Sequence, residues 1–148
     1  MQSTTINAAI RAATPDDLPS ARALLKEAAL PTEDLSPEHL AFVAQGVAGM
    51  LGVIGVESYG DVALLRSLVV SPAARTRGLG GELVAALELS ATNQGTRQLW
   101  LLTTDASDYF FRRGFTVRSR DEAPEPIRNS AEFSSLCPGD AVLMSKKL

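Results

Sequence analysis

The stretch Leu64–Gly81 reads LLRSLVVSPAARTRGLGG. An apolar run ends at Val70, a proline turn follows at Ser71-Pro72, and a glycine-rich loop opens directly into a helical pattern. That combination suits an anion. The first backbone N–H groups of a helix lack partners inside it, and the helix dipole adds partial positive charge at the same end. Gly78, Gly80 and Gly81 admit close approach of a bulky phosphate and tolerate positive φ, while Arg75 and Arg77 supply charge and forked donors. The same glycines also read as plain turn chemistry, and both readings stand on these residues alone. Two nucleotide readings fare poorly. The Lys-Ser/Thr pair that ends a phosphoryl-transfer P-loop is missing. The dinucleotide fingerprint belongs after the first strand of a βαβ unit, whereas this loop follows the fourth predicted strand.

Composition removes other chemistry. The 148 residues include one His and one Cys, so neither a zinc cluster nor an internal disulfide can be assembled from the usual ligands. A net charge of −3 and a pI near 5.1 argue against a nucleic-acid partner. Met1–Ala13 lacks the basic flank and long apolar run of a leader, and no apolar run approaches the ~18–20 residues that span a bilayer. The expectation is one metal-free, cytoplasmic domain over residues 1–148, with no membrane partner. Cys137 beside His39 reads either as a nucleophile pair or, the blander reading, as a buried structural thiol.

The elements that must position the loop follow from periodicity. Ile10–Ala12 predicts a strand, and Thr14-Pro15-Asp16-Asp17 starts a helix whose face is Leu18, Ala21, Leu25 and Ala28. Pro31 ends that helix, and Ser36-Pro37 predicts a second one. Phe42–Gln45 and Met50–Val56 predict a hairpin, and Ala63–Val70 a further strand after the turn Tyr59-Gly60-Asp61. Leu79, Leu83, Leu87 and Ala91 mark a helix from Gly78 to about Gln94. Leu99–Thr103 predicts a buried strand, Asp105–Arg113 a helix, and Phe115–Ser119 and Ala141–Lys146 the last strands. Asp121–Pro138 predicts a loop with a short helix near Ile127–Ser130. The alternation predicts α+β (α/β mixed sheet) architecture.

These residues carry a resemblance. Arg75-Thr76-Arg77-Gly78-Leu79-Gly80 resembles the R/Q-x-x-G-x-G/A signature of the GNAT superfamily of acetyl-CoA-dependent N-acetyltransferases. Ala106-Ser107-Asp108-Tyr109-Phe110-Phe111-Arg112-Arg113-Gly114-Phe115 resembles that superfamily's A-x-x-(F/Y)-Y-x-(K/R)-x-G-F element, in the right order about thirty residues on. Leu65-Arg66-Ser67-Leu68-Val69-Val70 is similar to amino-acid N-acetyltransferases. The tail, from Pro126-Ile127-Arg128 through Glu132-Phe133 and Leu136-Cys137-Pro138 to Met144, looks like the small members linked to arsenic resistance. The resemblance implies a GNAT fold: a mostly antiparallel twisted sheet of about 6–7 strands flanked by about four helices. It also implies acetyl transfer from acetyl-CoA to a small amine by direct attack in a ternary complex, with a homodimer admitted.

The resemblance places the pyrophosphate of acetyl-CoA on the amides of Thr76, Arg77, Gly78, Leu79, Gly80 and Gly81, beside Arg75. Pantetheine would lie along Leu68, Val69 and Val70 as an added strand, with Thr103 and Phe110 also on the cofactor side. The Leu68 and Val69 N–H groups would be the oxyanion donors. Departures follow. The family's thiolate-protonating tyrosine falls on Phe110, and Tyr109, one residue earlier, is rotated by ~100°. Tyr109 stays a catalytic candidate that cannot simply inherit that role, or reads as a core ring with its hydroxyl at the rim. The proton then comes from water or is not needed, a thiolate near its pKa of ~8.5 being a fair leaving group. The glutamate base of lysine-acetylating relatives falls on Leu64. An exposed lysine amine near pKa ~10.4 is almost wholly protonated at pH 7, whereas an α-amine near ~7.7–8 is about a tenth neutral, so the missing base favours a small α-amino acceptor. Glu57 and His39 are candidate bases or solvated surface residues. Arg66 shares strand parity with Leu64 and is expected to meet an acceptor carboxylate, or else to pair with an acid such as Glu57 across the hairpin. Arg128 and Ser130 are candidate acceptor contacts or surface-loop residues. A protein or peptide N-acetyltransferase and a weakly catalytic acyl-CoA sensor are the rival functions.

Overall fold

The computed structural model describes residues 8–136 and 140–148, with the side chains of 135 and 136 left aside. Cys137 and Pro138 of the tail resemblance and Met1–Asn7 of the leader reading lie outside the described residues. Seven strands form one mixed sheet in the order β1-β2-β3-β4-β5-β7-β6. They are β1 (Ala8–Ala12), β2 (Leu40–Gly46), β3 (Gly49–Tyr59), β4 (Val62–Val70), β5 (Gln98–Thr103), β6 (Thr116–Arg118) and β7 (Val142–Lys147). The helices are α1 (Leu18–Glu27), α2 (Leu79–Asn93), α3 (Ser107–Arg112) and α4 (Glu125–Arg128). β4 and β5 run parallel, while β1/β2, β2/β3, β5/β7 and β6/β7 are antiparallel. The mixed, mostly antiparallel seven-stranded sheet matches the expected architecture. Among the described residues no helix is long and apolar enough to cross a membrane.

Two compact units divide the chain. One takes the chain up to Gly55 together with Ser67–Leu89; the other takes Val56–Arg66 together with Ser90–Leu148. In the first, alternation along the strands sends side chains to two faces. Val43, Val53 and Val69 pack with Ala21 and Leu25 of α1, whereas Ala44 packs with Ala74 and Leu79. In the second, Val62 and Leu64 of β4, Trp100 of β5 and Leu143 of β7 share a core with Ala123 and Ile127, and Tyr59, Leu102 and Phe133 pack against it.

Two expectations change. The helix predicted from Ser36 is a single 3₁₀ turn, Pro37–His39, because Leu40 already adopts extended dihedrals and starts β2. Its cap is local: the His39 Nδ1 accepts the Ser36 N–H at 3.3 Å. The tail is more ordered than a loop with a helix near Ile127–Ser130. It forms a 3₁₀ turn at Arg120–Glu122, then α4 from Glu125, then a π-helical turn at Glu132–Leu136. Buried Ala123 and Ile127 give this polar stretch an apolar side to dock.

Candidate active site

Between the end of β4 and α2 the chain is fixed at two points. Ala74 and Leu79 are buried against Ala44, and the Ser71 N–H donates to the Leu51 carbonyl at 2.7 Å. Arg75, Thr76, Arg77 and Gly78, held between those points, are exposed. Thr76 and Gly78 both have left-handed backbone, φ +75° and +78°. A β-branched threonine in that region is strained, and such turns build the N–H concavities that take anions. A Cβ on Gly78 would meet nothing within 4 Å, so the loop is open on that side. Glu82 N–H bonds the Gly78 carbonyl at 3.1 Å, which starts the helical ladder of α2 and leaves the N–H groups before it pointing out of the helix end. Arg75 does not point freely: its Nε donates to the Val70 carbonyl at 3.1 Å.

Ser67 has left-handed backbone inside β4, φ +59°, and is buried. A positive φ in a strand bends it and turns adjacent peptide groups out of the ladder. The sequence signal for this bend was the polar pair Arg66-Ser67 inside an apolar run, although the bend itself was not foreseen. The parallel β4/β5 ladder runs only from Val62↔Gln98 to Leu64↔Trp100.

Arg66 was expected to present its guanidinium to an acceptor or to pair with Glu57. Its side chain is fully buried, with Nη1 2.7 Å from Glu57 Oε2 and Nε 3.4 Å from Glu132 Oε2. The Tyr59 hydroxyl also donates to Glu57. Glu132 and Tyr59 were missed because nothing local marks them; each meets the cluster only through the fold. Leu64, at the family's base position, is 0% exposed in the core with Ile127.

On α3, Phe110 is buried and stacks edge-on against Phe115 at 5.5 Å between centroids. Tyr109 packs edge-on to Phe110, and the Arg113 guanidinium lies 5.2 Å from its ring centroid. The Tyr109 hydroxyl oxygen is buried and has no hydrogen-bond partner among the described residues. Thr103 Oγ1 accepts the Ala106 N–H at 3.0 Å and so serves the start of α3. Ser130 is buried, its hydroxyl donating to the Ile127 carbonyl at 2.7 Å and accepting the Phe133 N–H at 3.3 Å. Arg128 is exposed.

A family model described as an acetyltransferase (GNAT) domain matches residues 37–117, more than half of the chain. The chain belongs to the GNAT acetyltransferase family, enzymes whose cosubstrate is acetyl-CoA. Within it, the chain is similar to the amino-acid acetyltransferases of Neisseria meningitidis serogroup A (37% identity over 68 residues, 46% of this chain and 16% of the relative) and Ectopseudomonas mendocina (39% over 64 residues, 43% and 15%). The matched part thus spans about a sixth of these curated relatives. In fold it is similar to the Neisseria gonorrhoeae N-acetylglutamate synthase solved with coenzyme A and N-acetyl-glutamate (TM-score 0.82, 24% identity, 99% of this chain and 36% of that one). It is likewise similar to Rv2747 of Mycobacterium tuberculosis solved with CoA (TM-score 0.80, 21% identity, 95% and 99%).

Proposed function

We propose that the chain works as one catalytic domain that acetylates the α-amine of a small, amino-acid-like acceptor. The observation that carries this reading is Leu64, sealed in the core where lysine-acetylating relatives keep a glutamate base. Without a strong base there, an α-amine, which gives up its proton more readily than a lysine side chain, is the suitable nucleophile. The likeness to amino-acid acetyltransferases supports the same class of acceptor.

In this reading the amides of Thr76–Gly81 hold the pyrophosphate, with Arg77 adding charge. Arg75, tied to the Val70 carbonyl, braces the loop against the end of β4. The left-handed Ser67 turns the peptide groups that follow, and the Leu68 and Val69 N–H groups stabilise charge on the thioester oxygen. The amine nitrogen forms the new C–N bond, the C–S bond breaks, and Tyr109 gives its hydroxyl proton to the departing thiolate. A hydroxyl buried without a partner among the described residues is suited to a bond made only when ligand is present. The amine's extra proton leaves to water or to His39. Arg128 is the exposed cation for an acceptor carboxylate.

The test is an acceptor panel read by mass spectrometry. It includes L-glutamate, L-glutamine, an arsenic-containing amino acid and a lysine peptide blocked at its N-terminus. An α-acetylated product is expected, with kcat/KM rising with pH as the acceptor amine loses its proton. Acetylation of the blocked peptide alone would overturn the reading.

A further inference from the structure

A guanidinium buried between two carboxylates from different elements has a use beyond binding substrate. Glu57 lies on β3, Arg66 on β4, and Glu132 on the π-helical turn of the tail. Arg66 reaches the first through Nη1 at 2.7 Å and the second through Nε at 3.4 Å. Its rigid planar fork fixes the direction of each bond in a way an ammonium cannot. Buried ion clusters add little net stability over well-packed apolar residues of similar volume; their best-attested use is to fix one arrangement among several.

That arrangement concerns the tail. Val62, Leu64 and Arg66 point to one face of β4 by strand alternation. On this face Ala123, Ile127 and Phe133 pack with Val62, Leu64 and Trp100. The tail is thus seated by an apolar contact at Ile127 and an ionic one at Glu132. Ser130 joins the two, bonding the Ile127 carbonyl and the Phe133 N–H through one hydroxyl. Exposed Arg128 sits between them in sequence.

We infer that the Glu57–Arg66–Glu132 triad is a positioning device, which seats the segment 123–134 as the acceptor-side wall and so sets where Arg128 meets its ligand. Arg66 then acts on the acceptor through the tail. The inference rests on the acceptor role proposed above for Arg128.

Glu132→Gln is the decisive variant, because it keeps the Arg66–Glu57 pair and weakens only the tail's half of the triad. Hydrogen exchange at 123–134 should speed up by about tenfold, while exchange in β2 and the first half of β3 stays as in the wild type. The emission of Trp100, the only tryptophan in the sequence, should shift to the red. With the best amino acid of the panel, acceptor KM should rise by about tenfold and acetyl-CoA KM should not move. Arg66→Lys should fall between wild type and Glu132→Gln in both exchange and acceptor KM. Unchanged exchange at 123–134, or an increase spread evenly along the chain, would overturn the inference, as would equal rises in both KM values. Should the wild type acetylate nothing on the panel, the amino-acid reading fails by itself, and exchange with Trp100 emission decides the triad's role.

Discussion

On α3 the ring of Phe110 turns into the core against Phe115, and Tyr109 beside it keeps a hydroxyl that is buried and unbonded among the described residues. The family motif places its tyrosine on the Phe110 position, so the shift by one residue moves the hydroxyl around the helix rather than removing it. With Tyr109 as the proposed proton donor, Tyr109→Phe should lower kcat by about 100-fold with little change in acetyl-CoA KM, because only a transition-state proton is lost. The same variant should be as stable as the wild type or slightly more so, since it deletes a buried hydroxyl that bonds nothing. Steady-state kinetics beside thermal unfolding checks both, and an unchanged kcat would assign the proton to water. Leu64 lies in the core beside Ile127, and in the proposed reading the acceptor chemistry then depends on the amine's own pKa.

β4, the loop and α2 form the element proposed to hold acetyl-CoA. Ala74 and Leu79 anchor the loop, and the backbone strain at Thr76 is held by those anchors. β3 approaches β4 closely at Gly52, where a Cβ would lie 3.0 Å from the Val69 carbonyl oxygen and 3.2 Å from Leu83 Cδ1. Gly52→Ala should therefore push the strand on which the thioester is expected to lie. Overpacking of this kind costs about 1–3 kcal/mol, read by chemical denaturation, and acetyl-CoA KM should rise with it. A stable variant with wild-type acetyl-CoA KM would remove Val69 from the thioester site.

At the scale of the whole molecule, stability in acid is tied to the entry into α1. Asp17 accepts both Arg11 Nη1 at 2.9 Å and Nη2 at 2.8 Å, and the Thr14 N–H at 2.8 Å. The Arg11 hydrogen bonds, more than the Thr14 amide, hold its carboxyl at about 2, below the ordinary 3.8. A carboxylate depressed on folding stabilises the native state fully above its unfolded pKa, and that contribution is lost as pH falls from about 4 through about 2. With the partly exposed Arg11 screened by water, it is worth about 1–2 kcal/mol. Asp17→Asn should lower stability by that amount at pH 7 and flatten the pH dependence below 4, measured as denaturation midpoints across the range. A midpoint curve that keeps its acid slope would place the titration elsewhere.

The strands, the helices α1, α2 and α3, and the glycine-rich loop before α2 were legible because each depends on residues close in sequence: apolar spacing, proline and glycine punctuation, and a helix start after a strand. That Leu64 and Phe110 stand at the positions where the resembled motifs carry a glutamate and a tyrosine was legible for the same reason, as spacings within a motif. The fate of Arg66 was legible in part, since pairing with Glu57 was one of its two readings. Its parity with Leu64 was correct, but only the fold brings Glu132 of the tail to it and covers that face of β4 with Ile127 and Phe133. The short 3₁₀ turn at Pro37–His39 and the π-helical turn at Glu132–Leu136 are likewise set by where the neighbouring strand and core fall. Sequence by itself determined the family and the glycine-rich loop ahead of α2, since these reside in local pattern and backbone. Tertiary structure decided which charges meet, because a buried guanidinium takes whatever carboxylates the folded chain delivers to it.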